Sequence, residues 1–488
     1  MGLDRAECGK LTESVGAVLP ALSAFLRFDT PDLAGKNCAE WRAKLDEALP
    51  THGSGLEAVL DSFSRTLIPH GLRTGAPGFA GWVTTSPTTV GAVAALAGAI
   101  SGAQRYWVTP YNYLETVGLR WLAELLGIKS TYQGLFVSGG SVANLVGLGA
   151  ARQFAFERIG VDAGRDGLPA GTAACIYASS EVHHTVFRAA GVLGLGRRSV
   201  ALVPVDGDFR MDVKALERVL DRDACDEIIP VAIVANAGTV NTGAVDPIPE
   251  IARIAVERRI WFHVDGAYGL FGKLDPRVAS RFDGLERADS LVCDPHKWLA
   301  APPGSGAVFV RERALLERAF TMEPADYAEG SIVQGKISST FDSPGENFLQ
   351  LGPEMSAQSR GVAVWAILKE IGAEGVRERI IRHNDHARLV YRLAMEDARL
   401  EALHEPILSI CCFRYQARGL SDEELDTLNM EIAQRLRVEG IVPSTTRVRG
   451  RYAIRPCFIN PRTGDGDVRR MVARVREIGD ALTCMSTS

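Results

Sequence analysis

Long apolar runs are missing from this chain of 488 residues. The longest, Val90 to Ile100, is 11 residues, whereas a helix needs about 20 to span a bilayer, so no membrane partner is expected. The opening residues, Met1-Gly2-Leu3-Asp4-Arg5-Ala6, contain no apolar stretch of the secretory kind. Ala6 also stands where a myristoylation signal wants Ser or Thr. The nine cysteines include no CxxC pair and no metal-like spacing. This odd, dispersed set argues against a disulfide framework and for reduced thiols, hence a cytoplasmic location. Charge of one sign is lacking too: the net charge is −5, and no basic cluster is long enough for a nucleic-acid footprint.

What is present is the composition of an ordinary globular protein, 46% hydrophobic and 23% charged, with 49 glycines gathered near candidate loops. Its length allows more than one domain. Residues 1 to about 75 read as amphipathic helices broken at Thr30-Pro31 and Leu49-Pro50, either an arm for a partner subunit or a cap. The stretch from Gly75 to Pro87 reads as a loop, and its Trp82, Thr84 and Thr85 are candidates to line a pocket or to form a packed turn before an apolar helix at Thr88–Ser101.

A βαβ rhythm follows. Apolar runs at Leu135–Val137, Ala174–Ala178, Val200–Val205, Ile229–Ala235, Ile260–Asp265 and Ser290–Cys293 are separated by amphipathic helices. Strands apolar at every position argue for a mostly parallel sheet covered on both faces. In such sheets ligands bind beyond the carboxyl ends of the strands, and four of these ends carry chemistry. Ser138-Gly139-Gly140-Ser141 precedes a helix, Val142 to about Arg158, and makes an anion cradle from free N–H groups and the positive helix end. It is neither a Walker loop nor a GxGxxG turn. His183 and His184 follow the second run, with no third ligand at metal spacing, so no metal is expected. Asp265 closes a buried strand, where a carboxylate needs a cation or several donors. Lys297, in Asp294-Pro295-His296-Lys297-Trp298, is placed in a loop past the last run, as an amine able to attack a carbonyl. Phosphate cradle, carboxylate and lysine are the parts that hold pyridoxal 5′-phosphate (PLP), a cofactor whose pyridine nitrogen wants an acid and whose aldehyde wants an amine.

Further on, Pro302–Val310 reads as a return into another strand. Residues 321 to about 353 are polar and aperiodic, as in a lid or subunit contact. A helix at Met355–Ile371 is expected to carry Arg360, either a substrate-side cation or a structural ion pair, of which the structural role is favoured. From Gly372 the texture changes to a smaller α+β unit with a helix at Val376–Ala394, strands at Ile407–Phe413 and Tyr452–Phe458, a helix opened by the capping box Ser421/Glu424, and a last helix from Asp465.

With these motifs in this order, the chain resembles the group II PLP-dependent amino-acid decarboxylases. The residues that carry the resemblance are Val137–Ser141, His183 with Thr185, Asn236-Ala237-Gly238-Thr239, His263–Tyr268 and Asp294–Trp298. The resemblance implies a fold type I PLP-dependent architecture, with a mostly parallel seven-stranded sheet in a large domain (88–371), a smaller C-terminal α+β domain (372–488) and an N-terminal helical segment (1–87). It also implies a homodimer with its sites at the interface and a small amino acid as substrate. Lys297 would form the Schiff base, Asp265 would pair with the pyridinium nitrogen, and His183 would stack on the ring. Gly140, Ser141 and His296 would serve the phosphate, Ala267 the other ring face, and Thr239 and Asp294 further cofactor contacts. Decarboxylation would pass through a quinonoid to the amine, with an aromatic substrate favoured by Trp82, Thr84 and Thr85.

Three departures from the family pattern are present. Asp294 is Asn in some relatives, and Val240 stands where several carry a second Thr. The run Ser338–Ser343 has no tyrosine, the residue that aromatic members use for protonation, and Tyr327 is the nearest. An aldehyde synthase or carbon–carbon lyase of the same fold therefore remains, as does a PLP-binding homologue without turnover.

Overall fold

The computed structural model describes residues 2–28, 35–104, 109–321, 332–333, 336–337 and 348–486. Tyr327, the run Ser338–Ser343, Thr30-Pro31 and most of the aperiodic stretch 321–353 lie outside the described residues. Two cores organise the rest.

The larger core surrounds a seven-stranded sheet. Its order is Gln133–Val137, Gly306–Val310, Ser290–Cys293, Trp261–Asp265, Ile229–Asn236, Ala174–Ser179 and Val200–Val203. Only Gly306–Val310 runs antiparallel to its neighbours. The apolar runs are strands because helices cover both faces, so residues of either parity are buried: Val231 through Ala235 are all inaccessible. Parallel direction brings the ends at Val137, Ser179, Asn236, Asp265 and Cys293 to one rim. Helix starts are locally encoded. Thr88 caps Thr89–Ile100 by accepting from the Gly91 N–H, and Asp212 caps Val213–Cys225 by accepting from the Lys214 and Ala215 N–H groups.

The smaller sheet runs Phe79–Ala80, Val442–Val448, Arg451–Arg455, Phe413–Tyr415 and Leu400–Ala402. Phe79–Ala80 joins it in parallel with Val442–Pro443, so a segment far upstream in sequence belongs physically to this sheet. Ser421 and Glu424 form the expected capping box of Asp422–Val438, and the last helix is Asp465–Ser486.

Three expectations are corrected. The run Ile407–Phe413 is a strand only from Phe413 to Tyr415, and Leu400–Ala402 and Val442–Val448 are strands that the pattern did not announce. Its apolar character has another cause. Leu408, Ile410 and Cys412 enter the larger core, while Cys411 and Phe413 enter the smaller one, so the run is a seam between them. The helix expected from Met355 starts at Gly361, with Arg360 just outside it. Buried Glu115 fixes that start: its Oε1 accepts from the N–H groups of Arg360 and Gly361 and from the Ser359 hydroxyl. Gly372, at φ 66° and ψ 176°, interrupts this long helix. Finally, Lys297 lies in a single helical turn, Pro295–Trp298, rather than in a loop.

Candidate active site

Lys297 is placed by the turn Pro295–Trp298, which Trp298 anchors by complete burial. Its Nζ lies 3.1 Å from Asp294 Oδ2. Asp294 is itself buried, and its Oδ1 has no hydrogen-bond partner. His296 Nδ1 sits 2.7 Å from the Ser305 carbonyl, so that nitrogen donates, and Nε2 lies 3.8 Å from Asp294 Oδ2.

The glycine turn closes on the same carboxylate. Gly139 has φ 128°, a conformation that L side chains rarely adopt. A Cβ on Gly140 would lie 2.8 Å from Asp294 Oδ2 and 3.1 Å from the Ala267 methyl. Gly140, Ala267 and Asp294 thus touch around one small space at the start of helix Gly140–Glu157, with Ser141 exposed beside it. Asp265 ends its strand with Oδ1 accepting from the Ala267 N–H at 3.1 Å and Oδ2 accepting from Asn144 Nδ2 at 2.9 Å. His183 Nδ1 is 2.9 Å from Thr185 Oγ1 and receives the Thr185 N–H. Burial holds the His183 imidazole below its ordinary pKa, and the Asp265 charge opposes this. The His184 ring lies beside that of His183 at a centroid distance of 4.1 Å, tilted by 35°.

Thr239 is buried at the neighbouring strand end, but its hydroxyl is occupied within its own loop, accepting from the Ala244 N–H and lying 3.1 Å from Thr242 Oγ1. Trp82, Thr84 and Thr85 stand apart from the rim. The Thr85 hydroxyl turns back to the Thr74 carbonyl. The Trp82 indole is 60% exposed and faces a cavity of about 1060 Å³, whose lining includes Arg73, Arg437 and Arg470 but none of Lys297, Asp265 or His183.

Several groups escaped the sequence reading. Arg455 of the small sheet donates to the carbonyls of Trp82, Val240 and Asn241, binding the Trp82 loop to the loop after Thr239. Asp246 accepts from the Asn236 and Met211 N–H groups and shapes the same loop, and burial pushes its carboxyl up to about 6. Asn144, His263, Ser290 and Trp261 lie behind Asp265. A period-two signal for part of this set was available: Trp261, His263 and Asp265 alternate along one strand. Arg360 forms the structural ion pair expected of it, 3.1 Å from Glu354.

A lysine, a carboxylate at a strand end and a glycine cradle at a helix start, where a Cβ on Gly140 would fill the space, fit PLP. Residues 39–416 match the model of the pyridoxal-dependent decarboxylase conserved domain. The chain belongs to the pyridoxal-dependent decarboxylase family. An aromatic-L-amino-acid decarboxylase of Bacillus atrophaeus is 30% identical over 91% of this chain and 89% of its own length. An L-2,4-diaminobutyrate decarboxylase of Rhizobium meliloti is also 30% identical, over 89% and 84%. An Oryza sativa TDC solved with PLP and tryptamine superposes with a TM-score of 0.88 at 21% identity, covering 97% of this chain and 98% of that one. This decarboxylase accordingly has the fold type I architecture, takes PLP as cofactor and is an amino-acid carboxy-lyase. No helix among the described residues is long and apolar enough to cross a membrane.

Proposed function

We propose that this enzyme decarboxylates an aromatic L-amino acid to its amine, with Lys297, Asp265 and His183 as the reacting set. The observation that carries this reading is the convergence of Lys297, Asp294, Gly140 and Ala267 on one space at the rim. When bound, PLP supplies an electrophilic aldehyde and a ring that accepts the electron pair released at Cα. Lys297 would hold the aldehyde carbon and Asp265 the ring nitrogen. The N–H groups at Gly140 and Ser141, with His296, would hold the phosphate. Ala267 would lie against one ring face and His183 against the other, with its Nε2 toward the substrate carboxylate. Thr239 and Asp294 would complete the cofactor contacts.

The aromatic preference is supported by the likeness to the Bacillus relative. A panel of tryptophan, tyrosine, phenylalanine, glutamate and 2,4-diaminobutyrate, followed by CO₂ release and amine yield, tests it. Faster turnover of either non-aromatic acid overturns the preference. The tyrosine-free run Ser338–Ser343 favours a second reading, aldehyde formation, which the same assay reads as aldehyde and peroxide in place of amine.

The enzyme works in the cytoplasm as a homodimer with its sites at the interface. This is supported by buried thiols at Cys175, Cys293 and Cys457 and by a stripe of exposed Leu11, Val15, Leu19, Leu22 and Leu26 along the first helix. Sedimentation should give twice the chain mass. The division into 1–87, 88–371 and 372–488 is supported by the interruption at Gly372, and limited proteolysis tests it.

A further inference from the structure

Behind Asp265 the sheet and its covering helix enclose a chain of hydrogen bonds whose direction can be worked out atom by atom. Trp261, His263 and Asp265 share one face of their strand, and the sheet register sets Ser290 beside His263. Trp261 Nε1 lies 2.8 Å from Ser290 Oγ. An indole N–H only donates, so the hydroxyl accepts there. The hydroxyl proton goes to His263 Nδ1, 2.7 Å away. The other end of the chain requires this: the Asp265 carboxylate only accepts, taking the Asn144 amide N–H at 2.9 Å and so turning the Asn144 oxygen to His263 Nε2. His263 must carry its proton on Nε2, which lies 2.8 Å from Asn144 Oδ1. The Asn144 amide nitrogen also lies 3.2 Å from Thr185 Oγ1. With Thr185 Oγ1 accepting from Asn144, its hydroxyl proton is directed at His183 Nδ1. The proton of a neutral His183 must therefore sit on Nε2. Trp261, Ser290, His263, Asn144, Thr185 and Asp265 are all at least nine-tenths buried, so water does not scramble the order.

We propose that the Trp261 indole, a pure donor, and the Asp265 carboxylate, a pure acceptor, fix the direction of this chain from its two ends and thereby hold His183 at the rim as the Nε2–H tautomer. Trp261, Ser290, His263 and Asn144 are positioning residues for the decarboxylation. This rests on the reading that Asp265 and His183 face the cofactor. Burial holds the His263 imidazole down at about 4, which keeps it neutral, as the chain requires. A Cβ on Gly147 would lie 2.7 Å from His263 Cε1 and 2.9 Å from Nδ1, so helix Gly140–Glu157 leaves room for the ring only because that residue is glycine.

Neutron diffraction from deuterated holoenzyme crystals at neutral pH reads the protons directly and needs no variant. Deuterium is expected on Nε2 and not on Nδ1 of both His263 and His183; deuterium on His263 Nδ1 overturns the proposal. Trp261→Phe and Ser290→Ala, tested in the holoenzyme, remove the donor end and the first link. Each is expected to raise the PLP Kd about tenfold and to move the pH midpoint of the bound-cofactor absorbance. Asp265→Asn serves as the separate control. If it leaves the PLP Kd unchanged, the site reading itself fails. If it weakens binding while both chain variants leave Kd and absorbance unchanged, only the chain of direction fails.

Discussion

The rim around Lys297 and the wall around Trp82 are built by opposite strategies. At the rim the strand ends of one sheet hold every polar group in place. Asp265 accepts from two directions, Gly140 leaves no space for a methyl group, and the turn carrying Lys297 is pinned by a buried tryptophan. At the wall, Trp82 stands with φ 48° and a largely exposed ring, held through its backbone by Ser444 and Arg455 of the other sheet. The contrast separates two ways of holding a side chain. Groups at the rim are pre-organised on the ends of rigid strands, whereas the Trp82 loop is positioned by a second sheet and leaves its ring to solvent.

Breaking the rim should cost most. Lys297→Ala should abolish turnover and the cofactor label fixed by borohydride, read by mass spectrometry. Survival of the label would remove the basis for placing the chemistry there. Asp265→Asn should raise the PLP Kd by roughly two orders of magnitude, in line with the loss of about 2–5 kcal/mol when one member of a buried charge pair is removed. The buried His263 supplies a pH signature with a definite sign. Its folded pKa of about 4 lies below the ordinary 6.5, so its contribution to stability is complete above pH 6.5 and is lost as pH falls toward 4, by about 3 kcal/mol. Denaturant unfolding across that window should show the fall, and His263→Gln should flatten it.

Smaller effects sharpen the other side of the comparison. Arg455→Met should free the Trp82 and Val240–Asn241 loops together, raising KM about tenfold with little change in PLP affinity, which steady-state kinetics and cofactor titration separate. Trp82→Ala should shift the ratio of aromatic to aliphatic substrates by about tenfold and leave the bound-cofactor spectrum as it was. A changed spectrum would join wall and rim into one unit.

Much of the rim was legible because its signals are local. A glycine pair before a helix, an aspartate closing an apolar run and a lysine just after another can each be read within a few residues. The smaller sheet was not legible in the same way. Its Phe79–Ala80 strand pairs with residues more than 350 positions away, and the apolar run at Ile407–Phe413 looked like a strand because it is buried from two sides by two different cores. Arg360 was correctly expected as structural, yet the helix start beside it depends on Glu115, more than 240 residues upstream.

The amino-acid sequence alone determined that Lys297, Asp265, His183 and the Gly139–Gly140 turn stand at the ends of buried parallel strands, because alternation of apolar runs and helices leaves such residues no other place. Only the tertiary structure decided what stands behind them. The register that sets His263 beside Ser290, and the glycine that lets helix Gly140–Glu157 approach it, bring an indole, a hydroxyl, an imidazole and an amide into contact. Hydrogen bonds act over about 3 Å, so their order belongs to the packing of elements that the chain keeps far apart.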